Sequence, residues 1–131
     1  MKLSEAMRIG ASWSKQSFGK LKNDDGTCAL GSAVEGCFGD KYKNILFHER
    51  IPGLFFVYFN EILKYEINCP YDNCIFKFDT FNKTLEVLIM HLNDTHKLTR
   101  EQIADWIEKI ENKIGFTGVE IEKNKVELVL V

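Results

Sequence analysis

The chain has 131 residues, 45% hydrophobic and 27% charged, with a formal net charge of −2. That length suits one domain, able to bury roughly two-thirds of the surface its unfolded chain exposes. The slightly acidic balance argues against a protein that grips nucleic acid by bulk charge, because such affinity comes largely from counterions displaced by a basic face.

The opening segment, Met1 to Arg8, carries internal charges and no apolar run, so no signal peptide is expected. No stretch approaches the ~20 apolar residues that cross a bilayer. The expected setting is therefore the reducing cytoplasm, where thiols favour metals over disulfides. A mildly basic run (Lys2, Arg8, Lys15, Lys20 and Lys22 against Glu5) meets Asp24 and Asp25 at once and reads as solvated surface.

Ser4 can cap a first helix whose apolar stripe is Leu3, Ala6, Met7, Gly10 and Trp13. Residues 14–26 read as a loop ending in the turn signal Asn23-Asp24-Asp25-Gly26. Thr27 is the expected N-cap of a second helix with Cys28, Leu30, Gly31, Val34, Cys37 and Phe38 at helical spacing. Gly31 invites close approach by a neighbour, and Gly36 and Gly39 bracket the helix end. Residues 40–52 read as a polar connector with a small apolar patch at Ile45-Leu46-Phe47.

After Pro52-Gly53, the aromatic run from Leu54 to Tyr65 has the content of a strand. Its length, and the spacing of Phe55, Tyr58, Ile62 and Tyr65, favour a helix. Ten phenylalanines are many for this length. Phe55, Phe56, Phe59, Phe76, Phe78 and Phe81 all fall between residues 55 and 81 and read as core. Residues 67–78 look like a short hairpin with Ile75, Phe76 and Phe78 on its return strand. Leu85, Leu88, Ile89 and Leu92 then form a third stripe at helical spacing. Thr99 with Gln102 makes a capping box opening the clearest helix, which carries Ile103, Trp106, Ile107, Ile110 and Ile114 on one face. Gly115 stops it. The alternation at Val119-Glu120-Ile121-Glu122, and the run Val126 to Val131, read as paired terminal strands.

Chemistry concentrates at one constellation. Cys69-Pro70-Tyr71-Asp72-Asn73-Cys74 is followed, sixteen residues later, by His91-Leu92-Asn93-Asp94-Thr95-His96. Two thiols and two imidazoles are the donor set of a closed tetrahedral zinc site. Residues five apart on a straight helix point about 140° from each other. His91 and His96 can therefore share an ion only if Asn93-Asp94 ends the helix between them. Pro70 and the turn formers Asp72 and Asn73 suit a tight knuckle, and Asp94 is a candidate acceptor for a ligand imidazole N–H. The alternatives are ordinary buried thiols beside surface histidines, or a disulfide. His48, with no neighbouring Cys or His, reads as exposed, and Cys28 and Cys37 as small buried hydrophobes.

Leu98 to Ile107 looks like the first helix of a helix-turn-helix, but the helix runs on through Glu111 and no recognition helix follows. There is no Gly-rich phosphate loop, no His-Glu-x-x-His and no Gly-x-Ser-x-Gly. Four protein ligands leave zinc no position for a reactive water, so a hydrolase would need one of them, His96 first, not to bind.

Three blocks carry a resemblance: Leu3-Ser4-Glu5-Ala6-Met7-Arg8-Ile9-Gly10-Ala11, Gly26-Thr27-Cys28-Ala29-Leu30-Gly31-Ser32-Ala33, and the stretch from His91 to Glu108. Together they resemble a group of small bacterial and phage proteins in which a Cys-Pro knuckle often precedes a His-Leu-Asn-Asp-x-His stretch. The resemblance implies metal ligation by Cys69, Cys74, His91 and His96, a bacterial or phage origin and a cytoplasmic setting, and it lends no activity. This chain departs from that pattern in its Cys-x4-Cys knuckle, longer than the usual Cys-x2-Cys. It also carries Lys97-Leu98 where an aromatic is expected.

The sequence thus predicts an α+β fold, mostly helical, as one domain over residues 1–131. Residues 1–50 form a helical part, 51–114 a zinc-knuckle hairpin and helix pair, and 115–131 terminal strands. The expected function is that of a noncatalytic regulatory or interaction protein, stabilised by structural Zn2+, whose partner is another protein. The rival classes are a zinc-finger-like nucleic-acid binder and a zinc-dependent hydrolase.

Overall fold

A computed structural model of the chain describes residues 1–23, 26–39, 51–71, 74 and 83–121. Among them five helices dominate: α1 (Leu3–Ala11), α2 (Ala29–Phe38), α3 (Gly53–Leu63), α4 (Leu85–Asp94) and α5 (Arg100–Ile114). Between α1 and α2 lie two-residue strands, β1 (Lys15–Gln16) and β2 (Gly26–Thr27), paired in parallel with Lys15 opposite Gly26. The stretch read as a loop thus contains a small parallel pair, too short for its side chains to show an alternating pattern.

α1 and α2 pack through small residues. An ideal Cβ on Gly10 would fall 1.8 Å from the Ser32 carbonyl oxygen, and one on Gly36 1.7 Å from that of Ala6. Backbone meets backbone here, which only glycine allows. Gly31 meets the Leu21 carbonyl oxygen in the same way, at 2.1 Å. Gly36 therefore lies inside α2 as a packing residue, while Gly39, at φ 93°, is the C-cap. The N-cap of α2 is Cys28, whose Sγ accepts from Gly31 N–H at 3.4 Å; Thr27 belongs to β2.

Ser4 does not cap α1. The N-cap is Lys2, and Ser4 is buried one turn in. Its hydroxyl donates to Glu111 of α5, whose other carboxylate oxygen accepts from Leu3 N–H at 2.9 Å and Ser4 N–H at 3.4 Å. A fully buried carboxylate thus satisfies two of the free amides of the first turn of α1, where the helix dipole favours negative charge. Glu111→Ala would strand three buried donors. It is expected to destabilise the protein by about 3 kcal/mol, read as a fall in the urea midpoint with an unchanged slope. Trp13, assigned to the stripe of α1, lies beyond the helix end and is exposed.

α3 forms as its spacing predicts and buries Phe55, Phe59, Ile62 and Leu63, with a break in helical geometry at Phe59. The rings of Phe55 and Phe59 meet at 5.1 Å with their planes tilted by 56°, and they touch Phe38 of α2 and Phe116 after α5. Leu85, Leu88, Ile89 and Leu92 of α4 are all buried, as are Ile103, Ala104, Ile107 and Ile110 of α5. The Thr99–Gln102 capping box is present: Gln102 N–H donates to Thr99 Oγ1 at 3.0 Å, and Thr99 N–H to Gln102 Oε1 at 2.9 Å. Gly115 ends α5 in the left-handed conformation.

The described residues do not show the hairpin expected over 67–78; what they show is a contact of residues 65–67 with 83–85. Ile67 N–H donates to the Lys83 carbonyl, Leu85 N–H to that of Tyr65, and Glu66 bridges antiparallel to Thr84. The return strand at Ile75, Phe76 and Phe78 lies outside the described residues, as do Ile45 to His48 and Phe81. Of the terminal strands, 122–131 also lie outside them. Residues 116–121 form no strand, although Val119 exchanges backbone hydrogen bonds with Met1.

Candidate metal centre

α4 stops at Asp94, leaving His91 in its last turn and His96 in the connector to α5. Lys97, at φ 55°, carries the chain through the reversal between the two helices. On the other side, the Cys74 N–H donates to the Tyr71 carbonyl at 3.2 Å, which holds Cys74 beside Tyr71. The Sγ atoms of Cys69 and Cys74 and the ring nitrogens of His91 and His96 all lie within 4.8 Å of one another. Cys69 Sγ is 3.5 Å from His91 Nε2 and 3.4 Å from His96 Nε2, and Cys74 Sγ is 3.3 Å from His91 Nε2. Zinc–sulfur and zinc–nitrogen bonds of ordinary length in a tetrahedron give sulfur–nitrogen edges of roughly 3.6 Å. The four side chains are therefore spaced as ligands of one small ion and could bind it.

The electrostatics pull in two directions, favouring the metal-binding form at His91 and opposing it at Cys69. Burial, helped by neighbouring His96, pulls the His91 imidazole below its usual range, which favours the neutral ring that a metal needs. Burial pushes the Cys69 thiol up, while a hydrogen bond from the Tyr71 amide acts the other way by favouring thiolate. The remaining two thiols differ in kind. Cys37 is pushed up to about 12 by burial, and Cys28 is also raised by burial, so both stay protonated and inert at neutral pH. Both lie in the hydrophobic core, as expected of small buried hydrophobes.

No family model, curated protein or solved structure matches this chain.

The site's mounting comes largely from residues the sequence did not single out. Asn93 is fully buried and uses every polar atom. Its Oδ1 accepts from Gln16 Nε2 at 2.8 Å and Ala29 N–H at 3.0 Å. Its Nδ2 donates to the Ser17 carbonyl at 3.0 Å and to Asp94 Oδ1 at 2.8 Å. One amide thus joins the end of α4 to β1 and to the start of α2, and so fixes where His91 and His96 stand. Gln16 Nε2 also donates to the Leu98 carbonyl at 2.7 Å, pinning the connector that carries His96. Arg100, buried, donates to Thr27 Oγ1 at 3.0 Å and to the carbonyls of Thr27, Ala11 and Ser14. Only the position of Asn93 between the two histidines could have marked it in advance.

Asp94 does not serve an imidazole. Its Oδ1 accepts from Gly19 N–H at 2.8 Å and from Asn93 Nδ2, so the carboxylate holds the 16–20 loop to the helix end. The orienting contact on His96 is instead the Tyr71 ring, stacked at 4.2 Å with planes 16° apart. The rings of His91 and His96 meet edge to face at 4.7 Å. No helix among the described residues is long and apolar enough to cross a membrane.

Proposed function

We propose that Cys69, Cys74, His91 and His96 hold one structural zinc ion, and that the chain is a noncatalytic regulatory or interaction module stabilised by it. The observation that carries this reading is the set of sulfur–nitrogen separations of 3.3–3.5 Å among four ligand atoms. Softness of the donors argues for zinc: two thiolates with two imidazoles in a tetrahedron suit it better than they suit calcium, magnesium or manganese. A shell filled by four protein atoms leaves no place for a metal-bound water, which hydrolysis would require. The resemblance of the His91 to Glu108 block supports a bacterial or phage origin and a cytoplasmic setting.

The test is elemental analysis of the purified chain together with the visible spectrum of its cobalt-substituted form. The expected result is one zinc per chain, and intense bands of tetrahedral cobalt with thiolate ligation. A metal-free chain from a zinc-replete preparation would overturn the reading. So would a cobalt spectrum of five or six ligands, or turnover of a substrate at the ion.

A further inference from the structure

The four cysteines fall into two chemical classes. Cys28 and Cys37 are core residues, 5% and 7% exposed, and burial keeps both thiols protonated. Cys69 and Cys74 are only partly buried, neither is in a disulfide, and their sulfurs stand within 4.8 Å of one another. Cys74 is also a hydrogen-bonding neighbour of the Cys69 thiol. An ion bound between them holds both as thiolates, the nucleophilic form of sulfur. The accessible sulfurs are therefore also the reactive ones, and each has the other beside it.

The two halves of the ligand set are mounted differently. Both sulfurs come from the single Cys-x4-Cys segment, so a bond between them would close a small loop within the knuckle. The imidazoles stand on α4 and its connector, held by contacts that need no ion. Asn93 ties the end of α4 to Gln16, Ser17 and Ala29, and Leu98 N–H donates to the Leu92 carbonyl at 3.1 Å. A change at the sulfurs removes half the ligands and leaves the support of the other half standing.

We propose that Cys69 and Cys74 form a peroxide-sensitive switch: a hydroperoxide oxidises the two thiolates to a disulfide, the ion leaves, and the knuckle is released from α4. This rests on the zinc reading and adds regulation to the same site. With hydrogen peroxide, one thiolate attacks the O–O bond and gives a sulfenic acid and hydroxide. The second sulfur then displaces hydroxide from the first and forms the S–S bond. Two electrons pass from sulfur to oxygen, and two protons from solvent convert both hydroxides to water. Zinc keeps only two imidazoles, half of a closed site.

The experiment treats the full zinc-loaded chain with excess hydrogen peroxide. Zinc release is followed with a colorimetric chelator, free thiols are counted after denaturation, and the disulfide is located by peptide mass mapping. The expected result is release of one zinc per chain, a fall in free thiols from four to two, and one bond, Cys69 to Cys74. Zinc release and thiol loss should follow one time course, and a dithiol reductant with added zinc should restore both. Zinc retained under peroxide would overturn the proposal. So would a disulfide that includes Cys28 or Cys37, a bond between two chains, or sulfinic acid in place of a disulfide. Zinc content before peroxide tests the metal reading, and its loss after peroxide tests the switch.

Discussion

His91→Ala or Cys74→Ser is expected to lower the melting temperature by about 10 °C or more, corresponding to a stability loss of about 4 kcal/mol, the scale set by removal of a metal site. Metal binding free energy is folding free energy when the unfolded chain has no preformed site. Here the ion would join a knuckle at 69–74 to the end of α4, closing a loop of about twenty residues between Cys69 and His91. The described contacts that otherwise anchor the knuckle are the bridge of Glu66 with Thr84, the Ile67 amide, the packing of Ile67 and Cys69 against the core, and the Tyr71 ring on His96. Calorimetry with and without chelator reads the effect. The parent should lose stability on chelation, whereas either variant should melt at one temperature in both buffers. Amide exchange adds a location: protection should fall at 65–71 and 95–99 and persist where α1 crosses α2. A parent chain indifferent to chelator would remove the basis for a structural ion.

Legibility in the sequence followed the range of the interaction. The four candidate ligands were readable because donor type and spacing are local properties, and the break after Asn93-Asp94 was demanded by helix geometry. The stripe of α4 and the capping box of α5 were readable for the same reason. What failed depended on partners far along the chain. Ser4 has the chemistry of a cap, but Glu111, 107 residues away, takes its hydroxyl and both nearby amides. Asp94 has the chemistry of an imidazole's partner, but the Gly19 amide reaches it first. Asn93 looked like a helix stop, and its four hydrogen bonds to β1, the following loop, α2 and Asp94 exist only once those elements have met.

A consequence concerns the connector 95–99. It supplies His96 to the cluster and, one residue on, Lys97 to the Phe18 ring, while Gln16 grips it through the Leu98 carbonyl. Occupancy of the metal site and the placement of this connector are therefore mechanically joined. An ion that fixes His96 also fixes the ring stacked on it, limiting the freedom that a partner would otherwise have to remove on binding.

Gly36→Ala is expected to be among the most damaging single-methyl substitutions outside the metal site, with Gly10 and Gly26 the comparable positions. Its new Cβ would lie 1.7 Å from the Ala6 carbonyl oxygen, whereas real Cβ contacts essentially never fall below 3.0 Å. Relief requires α1 and α2 to separate, and the obstacle is backbone, which cannot swing aside as a side chain can. Alanine gains about 1 kcal/mol of helix propensity over glycine, but separating two buried helices opens the contacts of Leu3, Met7, Ala33 and Val34 together. A net loss of about 3 kcal/mol is expected, at the upper end of overpacking effects. Gly53→Ala is the control: nothing lies within 4 Å of its ideal Cβ, so its effect should stay within about 0.5 kcal/mol. Urea unfolding distinguishes the two, and zinc content should be unchanged in both because the crossing and the cluster share no residue. If Gly36→Ala unfolds at the parent's midpoint, the two helices do not approach as closely as their backbones here require.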